Sequence, residues 1–160
     1  ENMVLVMYLL SILLFGLAMF LAADTAGESI RLYYDITSFI LVFFPTIFLT
    51  IASYSLKDFS SAFKNLFKDV DDKILILNSI NIFDQLKNLS TKFGWIGAFI
   101  GWIVMLFSIG TYKDFPENFW SLFSLSFGVS ILPIFYGYLI SSFIFEPFKN
   151  MYIKKLNRLQ

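Results

Sequence analysis

Hydrophobic residues along this chain gather into four long runs separated by polar segments. Residues 3–23 are apolar except for Ser11 and Gly16. The run is longer than the apolar region of a secretory signal, with no basic flank before it and no clear cleavage site, so a retained transmembrane helix is predicted. Residues 24–35 form a polar connector, with Gly27 as a breaker and Tyr33 and Tyr34 where aromatic rings favour the headgroup level. Residues 36–56 form the second span. Its hydroxyls (Thr37, Ser38, Thr46, Thr50, Ser53, Ser55) can bond their own helix carbonyls, and Pro45 removes one backbone donor and predicts a kink.

The 36 residues from Lys57 to Lys92 are polar but patterned. Phe59, Ala62, Phe63, Leu66, Phe67 and Val70 fall at helical spacing, with Lys57, Lys64 and Lys68 off the stripe, which predicts an interfacial amphipathic helix. Asp69, Asp71 and Asp72 interrupt it. A second helix is expected from about Ile74 through Ile80, Phe83, Leu86 and Leu89 into the third span. That span, residues 93–110, holds no charge and would be about 27 Å long as a helix, enough to cross a bilayer core. Gly94, Gly97, Ala98, Gly101 and Ser108 leave one face nearly bare, while Trp95, Phe99, Trp102 and Phe107 crowd the others. Residues 111–118 are a short connector containing Pro116. Residues 119–145 make the fourth span, with a small, weakly polar face of Ser126, Ser130, Pro133, Gly137 and Ser141 that should meet the one on the third. Glu146-Pro147 is expected to end it, leaving residues 148–160 as a basic tail.

The expected fold class is therefore an all-α integral membrane protein: four transmembrane helices plus interfacial or cytoplasmic amphipathic helices. Its parts are a first hairpin (1–56), a cytoplasmic or interfacial segment (57–92), a second hairpin (93–147) and a tail. Composition agrees, with 58 % hydrophobic, 20 % aromatic and only 15 % charged residues, too little polar surface for a soluble globule of this size. Net charge is zero, but its distribution is uneven. The 57–92 segment and the tail hold ten of the twelve basic residues, and the other two connectors only Arg31 and Lys113. The positive-inside rule then puts both termini in the cytoplasm.

Cysteine and histidine are absent, which removes disulfides, thiolate nucleophiles, Cys/His metal sites and the commonest proton-moving side chain. No enzyme activity, metal or cofactor is expected. No basic groove suits nucleic acid, and the glycine-rich third span lacks the GK[ST] ending of a phosphate loop. No Asp, Glu, Lys or Arg lies within any span, so a proton path through this chain would need a carboxylate from a partner. Two carboxylates stand at the margins. Asp35 reads as a cap for the helix carrying Thr37 and Ser38, or as a vestibule charge. Glu146 reads as an interfacial residue paired with Lys149, or as an exit-site charge. By spacing alone, the face of Gly94, Gly97 and Gly101 is a packing surface or a pore wall.

Three segments resemble a known family. Gly27-Glu-Ser-Ile-Arg-Leu-Tyr-Tyr-Asp35-Ile-Thr37-Ser38 is similar to the periplasmic loop and second-helix start of A-type flagellar stator subunits (MotA, and especially the sodium-type PomA). Phe93-Gly94-x-Ile96-Gly97-Ala98-x-Ile100-Gly101 resembles the third-helix signature F-G-x-I-G-x-x-I-G of the wider MotA/TolQ/ExbB group. Tyr136-Gly137, ten residues before Pro147, resembles its fourth helix.

The resemblance implies an ion-driven motor in the bacterial cytoplasmic (inner) membrane: a homo-pentamer enclosing single-span B-type subunits, whose Asp carries the translocated H+ or Na+, with a cytoplasmic rotor component as a further partner. It places Gly94, Gly97, Ala98, Gly101, Ser130, Pro133, Ile134 and Gly137 along the partner-facing ion pathway and makes Pro147 a structural proline. Ala98 stands where sodium-type stators have Thr and proton-type stators have Ala, favouring protons, although the loop around Asp35 leans the other way. The fourth-helix hydroxyl of the family falls near Pro133 and Ile134, which lack one, with Ser130 a turn away. Thr91 replaces the family's third-helix proline. The cytoplasmic segment is much shorter than in stators, which implies either a minimal member that drives something other than a flagellar rotor or a sequence that omits part of that segment; a TolQ/ExbB-like energiser of envelope processes is the runner-up. A non-transporting four-span scaffold is the alternative outside the motor class.

Because the chain has no cysteine, its orientation can be read with single introduced ones. An impermeant maleimide added to intact cells should label Ser29→Cys and spare Asp71→Cys and Asn157→Cys until the membrane is opened; the reverse pattern would invert the topology.

Overall fold

The computed structural model describes residues 2–110 and 119–159, so the connector with Pro116 lies outside the described residues. Every regular element among the described residues is helical: α1 (Asn2–Thr25), α2 (Ile36–Tyr54), α3 (Leu56–Lys64), α4 (Lys73–Gly110), α5 (Phe119–Ile140) and α6 (Glu146–Arg158), with a 3-10 turn at Ile30–Tyr33 and a π-helical turn at Ser141–Phe145. Four of these helical stretches are long and apolar enough to cross a membrane, and they coincide with the four expected runs. The chain divides into two compact units, residues 1–36 and 37–160.

In the first unit, α1 is apolar on all sides, as suits a helix surrounded by hydrocarbon. Its few hydroxyls are satisfied locally: Ser11 Oγ donates to the Tyr8 carbonyl at 2.7 Å and Thr25 Oγ1 to the Leu21 carbonyl at 2.9 Å. Gly27, with φ of +72°, takes the left-handed conformation that lets the Glu28 N–H turn back to the Ala23 carbonyl at 2.9 Å and close the helix.

In the second unit α2 runs antiparallel to α4, because Leu41 lies against Gly97 while Ser53, farther along α2, meets Gln85, earlier on α4. Ser38, Val42, Thr46 and Thr50 form its buried stripe. The expected back-bonding is present: Thr46 Oγ1 donates to the Val42 carbonyl at 2.7 Å, Thr50 to that of Thr46 at 2.8 Å, and Ser53 to that of Leu49 at 2.8 Å. Ser55, with φ of +79°, separates α2 from α3, and its Oγ accepts from the Asp58 N–H to cap α3.

The amphipathic stripe turns towards protein. Ala62 and Leu66 are buried, and Phe63 meets Phe83 of α4 edge to face at 5.0 Å. The Phe83 ring in turn stacks on Tyr152 of α6 at 5.9 Å and meets Phe148 at 5.6 Å. Helix α3 also stops sooner than the pattern suggests, so Phe67 is exposed, while Val70 still packs on the core. The reason for the early stop comes from α6. The Lys155 ammonium donates to the carbonyls of Asn65, Leu66 and Lys68 at 2.7–2.8 Å, satisfying oxygens that a continued helix would have used.

Helix α4 starts where the Asp72 carboxylate accepts from the N–H groups of Ile74 and Leu75. It then runs unbroken for 38 residues, about 57 Å. The expected helix from Ile74 and the third span are thus one rod, whose first half forms a stem outside the apolar stretch. Nor does the helix of the fourth span stop at Pro147. Proline in the first turn of a helix loses nothing, since that N–H would have no partner, and the π turn absorbs the change of phase, with the Glu146 N–H reaching back to the Ser141 carbonyl. The expected tail is therefore α6, packed on the stem.

The buried apolar cluster, including Ala62, Leu66, Ile82, Phe83, Leu86 and Tyr152, gathers mainly at that stem and reaches into the apolar spans at Val42, Ile140 and Phe145. Tyr152 is fully buried and donates its hydroxyl to the Ala62 carbonyl at 2.6 Å. Burial pushes its phenol above the usual 10, with a hydrogen bond to Ser79 partly opposing. A raised folded-state pKa means a contribution that is complete below pH 10 and lost as the pH climbs past it. Tyr152→Phe should cost about 1 kcal/mol in unfolding experiments in detergent at neutral pH, and should soften the loss of stability above pH 10.

Candidate functional site at the seam of α4 and α5

The small residues of α4 and α5 lie on facing sides of the two helices, and close backbone approach follows. A methyl group built on Gly94 would stand 2.8 Å from the Pro133 carbonyl oxygen and 3.2 Å from the Ile134 Cα. On Gly97 it would meet the Pro133 ring and the Leu41 side chain, each at 2.7 Å, and on Gly101 the Ser130 Cβ at 2.7 Å. On Gly137 it would stand 2.6 Å from the Ser90 carbonyl oxygen and 3.2 Å from the Gly94 Cα. Positions rising along α4 meet positions falling along α5, so the helices are antiparallel. The two small faces expected to meet do so.

All eight residues expected along a pathway belong to this seam or its rim. Gly94, Gly97, Ala98, Ser130, Pro133 and Gly137 are buried, and Gly101 and Ile134 are half-buried. Within the chain the bare backbone of α4 is covered by α5, with Leu41 of α2 closing over Gly97. The Ser130 hydroxyl is engaged in its own helix, donating to the Phe127 carbonyl at 2.7 Å. Around the seam, Trp102 stacks on Phe127 at 6.2 Å, and its buried indole N–H has no hydrogen-bond partner among the described residues. With no Asp, Glu, Lys or Arg in the spans, the seam offers close backbone, hydroxyls and aromatic surface but no carboxylate or basic group.

The charged margin is arranged differently from expectation. Glu146 pairs with Lys87 of α4 at 2.8 Å, not with Lys149 on its own helix, while Lys149 pairs with Asp84. Two antiparallel helices carrying Asp84-x-x-Lys87 and Glu146-x-x-Lys149 present these charges in complementary order, so the pairs form across the interface. That matched spacing was the available sequence signal. All four side chains are partly exposed, so each pair is worth under about 1 kcal/mol and acts mainly on register. Asp35 is half-buried immediately before α2. Pro147 stands beside the π turn.

Among the described residues these features define an all-helical architecture with four helices long and apolar enough to cross a membrane. No protein-family model matches the chain, and no curated protein is significantly similar to it.

Seam geometry makes glycine identity position-specific. Gly137→Ala should destabilise by about 1–3 kcal/mol, because its methyl would press on backbone. Gly128→Ala, on the same helix with open space around it, should be neutral or stabilising by up to about 1 kcal/mol. Thermal unfolding of both variants in detergent checks the contrast.

Proposed function

We propose that this chain is an A-type subunit of an ion-driven rotary motor in the bacterial cytoplasmic membrane, more fitted to protons than to sodium. Five copies would surround the single helices of a B-type partner, whose Asp carries the ion. The observation that carries this reading is where the family-like segment lies. Phe93-Gly94-x-Ile96-Gly97-Ala98-x-Ile100-Gly101 supplies the residues at which α4 and α5 touch backbone to backbone, in spans without a charged side chain. A wall of this kind lets a partner's ion-loaded helix pass without trapping it electrostatically, since it offers no fixed charge of either sign.

In this reading the eight seam residues set the spacing of the wall. Ala98 keeps a methyl group where a sodium-type subunit would offer a hydroxyl. The stem gives the hairpin leverage: α4 leaves the apolar stretch without a break, Phe148 and Tyr152 pack α6 on Phe83, and the ion pairs of Lys87 with Glu146 and Asp84 with Lys149 set its register. Movement of the wall would then be transmitted to the stem as a rigid body. The shortness of the 57–92 segment supports a cargo other than a flagellar rotor, and a TolQ/ExbB-like energiser shares the same chemistry.

Reconstituted alone, the chain should conduct no protons; co-purified with its single-span partner it should form a pentamer and support a proton flux. Gly101→Leu should abolish that flux in particles that still assemble. A stable lone monomer in mild detergent, or proton flux without any partner, would sink the proposal.

A further inference from the structure

We infer that the groove between the end of α2 and the α4 stem is a binding site for the phosphate of an anionic glycerophospholipid. This depends on the helices spanning a bilayer and not on the motor reading. The groove encloses about 420 Å3 and is lined mainly by polar groups: Tyr54, Asn81, Asp84, Gln85, Asn88 and Lys92. A headgroup fits within such a volume, and a few convergent polar side chains are what fix a small ligand.

Position along the chain sets the depth of the groove. Lys92 is the last charged residue before the apolar stretch that begins at Phe93, and Tyr54 is the last residue of α2. Both residue types favour the headgroup level, one by its cationic tip and the other by its amphipathic ring. Side chains on a helix lean towards its N-terminus, so Lys92 leans away from the apolar stretch and towards Asn88, one turn earlier.

Charge decides the ligand. Lys87 and Lys149 are engaged by Glu146 and Asp84. Among the described residues Lys92 has no ion pair or hydrogen bond. The Asp84 carboxylate in the groove is thus already answered, by Lys149 on one oxygen and by the Asn88 amide N–H, which donates to the other at 3.3 Å. Lys92 leaves an uncompensated positive charge beside neutral side chains, and the Asn88 amide oxygen has no partner of opposite charge among the described residues. An anionic phosphodiester bearing a hydroxylated headgroup satisfies both: its charge meets Lys92, and its hydroxyls meet Asn81 and Asn88. The wall is held in place beforehand by the Gln85 amide, which donates to Ser53 Oγ of α2 at 2.9 Å, so binding need not order it.

Native mass spectrometry of the full chain, released from detergent containing equal amounts of phosphatidylglycerol and phosphatidylcholine, tests this. The wild type should retain phosphatidylglycerol preferentially. Lys92→Gln should lower that retention about fivefold, the effect of one lysine near an anionic surface; Asn88→Ala should lower it less, and Lys154→Gln, exposed on α6, should leave it unchanged. Equal retention of both lipids, an unaltered Lys92→Gln, or an equal loss in Lys154→Gln would overturn the site. Displacement of the lipid by millimolar inorganic phosphate would reassign it to free phosphate.

Discussion

Where Gly94 lies against Pro133 and Gly137 against Ser90, two helices approach until backbone meets backbone, and most of the second unit is built around that contact. In hydrocarbon there is no water to squeeze out from between helices, so a large apolar side chain gains little by burial. Association depends instead on dispersion at short range, which glycine permits by leaving nothing in the way. Alanine at Gly137 would set its methyl against a carbonyl oxygen that helix geometry holds fixed. The close approach of α4 and α5 also determines where α2 can lie, because Leu41 seats on Gly97.

The stem obeys different physics. Outside the apolar stretch water is present, and the hydrophobic effect returns at roughly 25 cal/mol per Å2 of apolar surface buried. The large side chains Phe83, Leu86 and Tyr152 accordingly concentrate there, with Ala62 and Leu66 against them. One chain thus uses two cohesive mechanisms in succession along the same helix: glycine contact from Gly94 onwards, and side-chain burial before it. The polar fastenings, Lys155 on the carbonyls just past α3 and the two ion pairs between α4 and α6, all lie on the stem, where long charged side chains can keep part of their surface in water.

The two regimes meet within one continuous helix, since α4 runs unbroken from the stem into the glycine seam. A polar groove at the junction of the two regimes, with one free lysine, adds a place where the bilayer itself could engage the stem.

Much of this was legible in the residues. The four apolar runs predicted the four long helices because length and hydropathy alone decide whether a segment can satisfy its backbone in lipid. The small-residue spacing on α4 and α5 predicted that these faces would meet, since glycine periodicity directly encodes where a helix can be approached. What the chain order could not reveal was which distant groups would complete one another. Local spacing pointed Glu146 to Lys149, and tertiary structure paired it with Lys87. The stripe on α3 suggested a membrane surface, and tertiary structure supplied Phe83 and Tyr152 instead. Pro147 looked like a stop, yet the π turn and the packing of α6 on the stem carried the helix past it. In each case the sequence by itself determined the need, an apolar face to cover or a charge to neutralise, while only the fold decided which partner met it, because neighbours in space are set by how the helices pack and not by their separation along the chain.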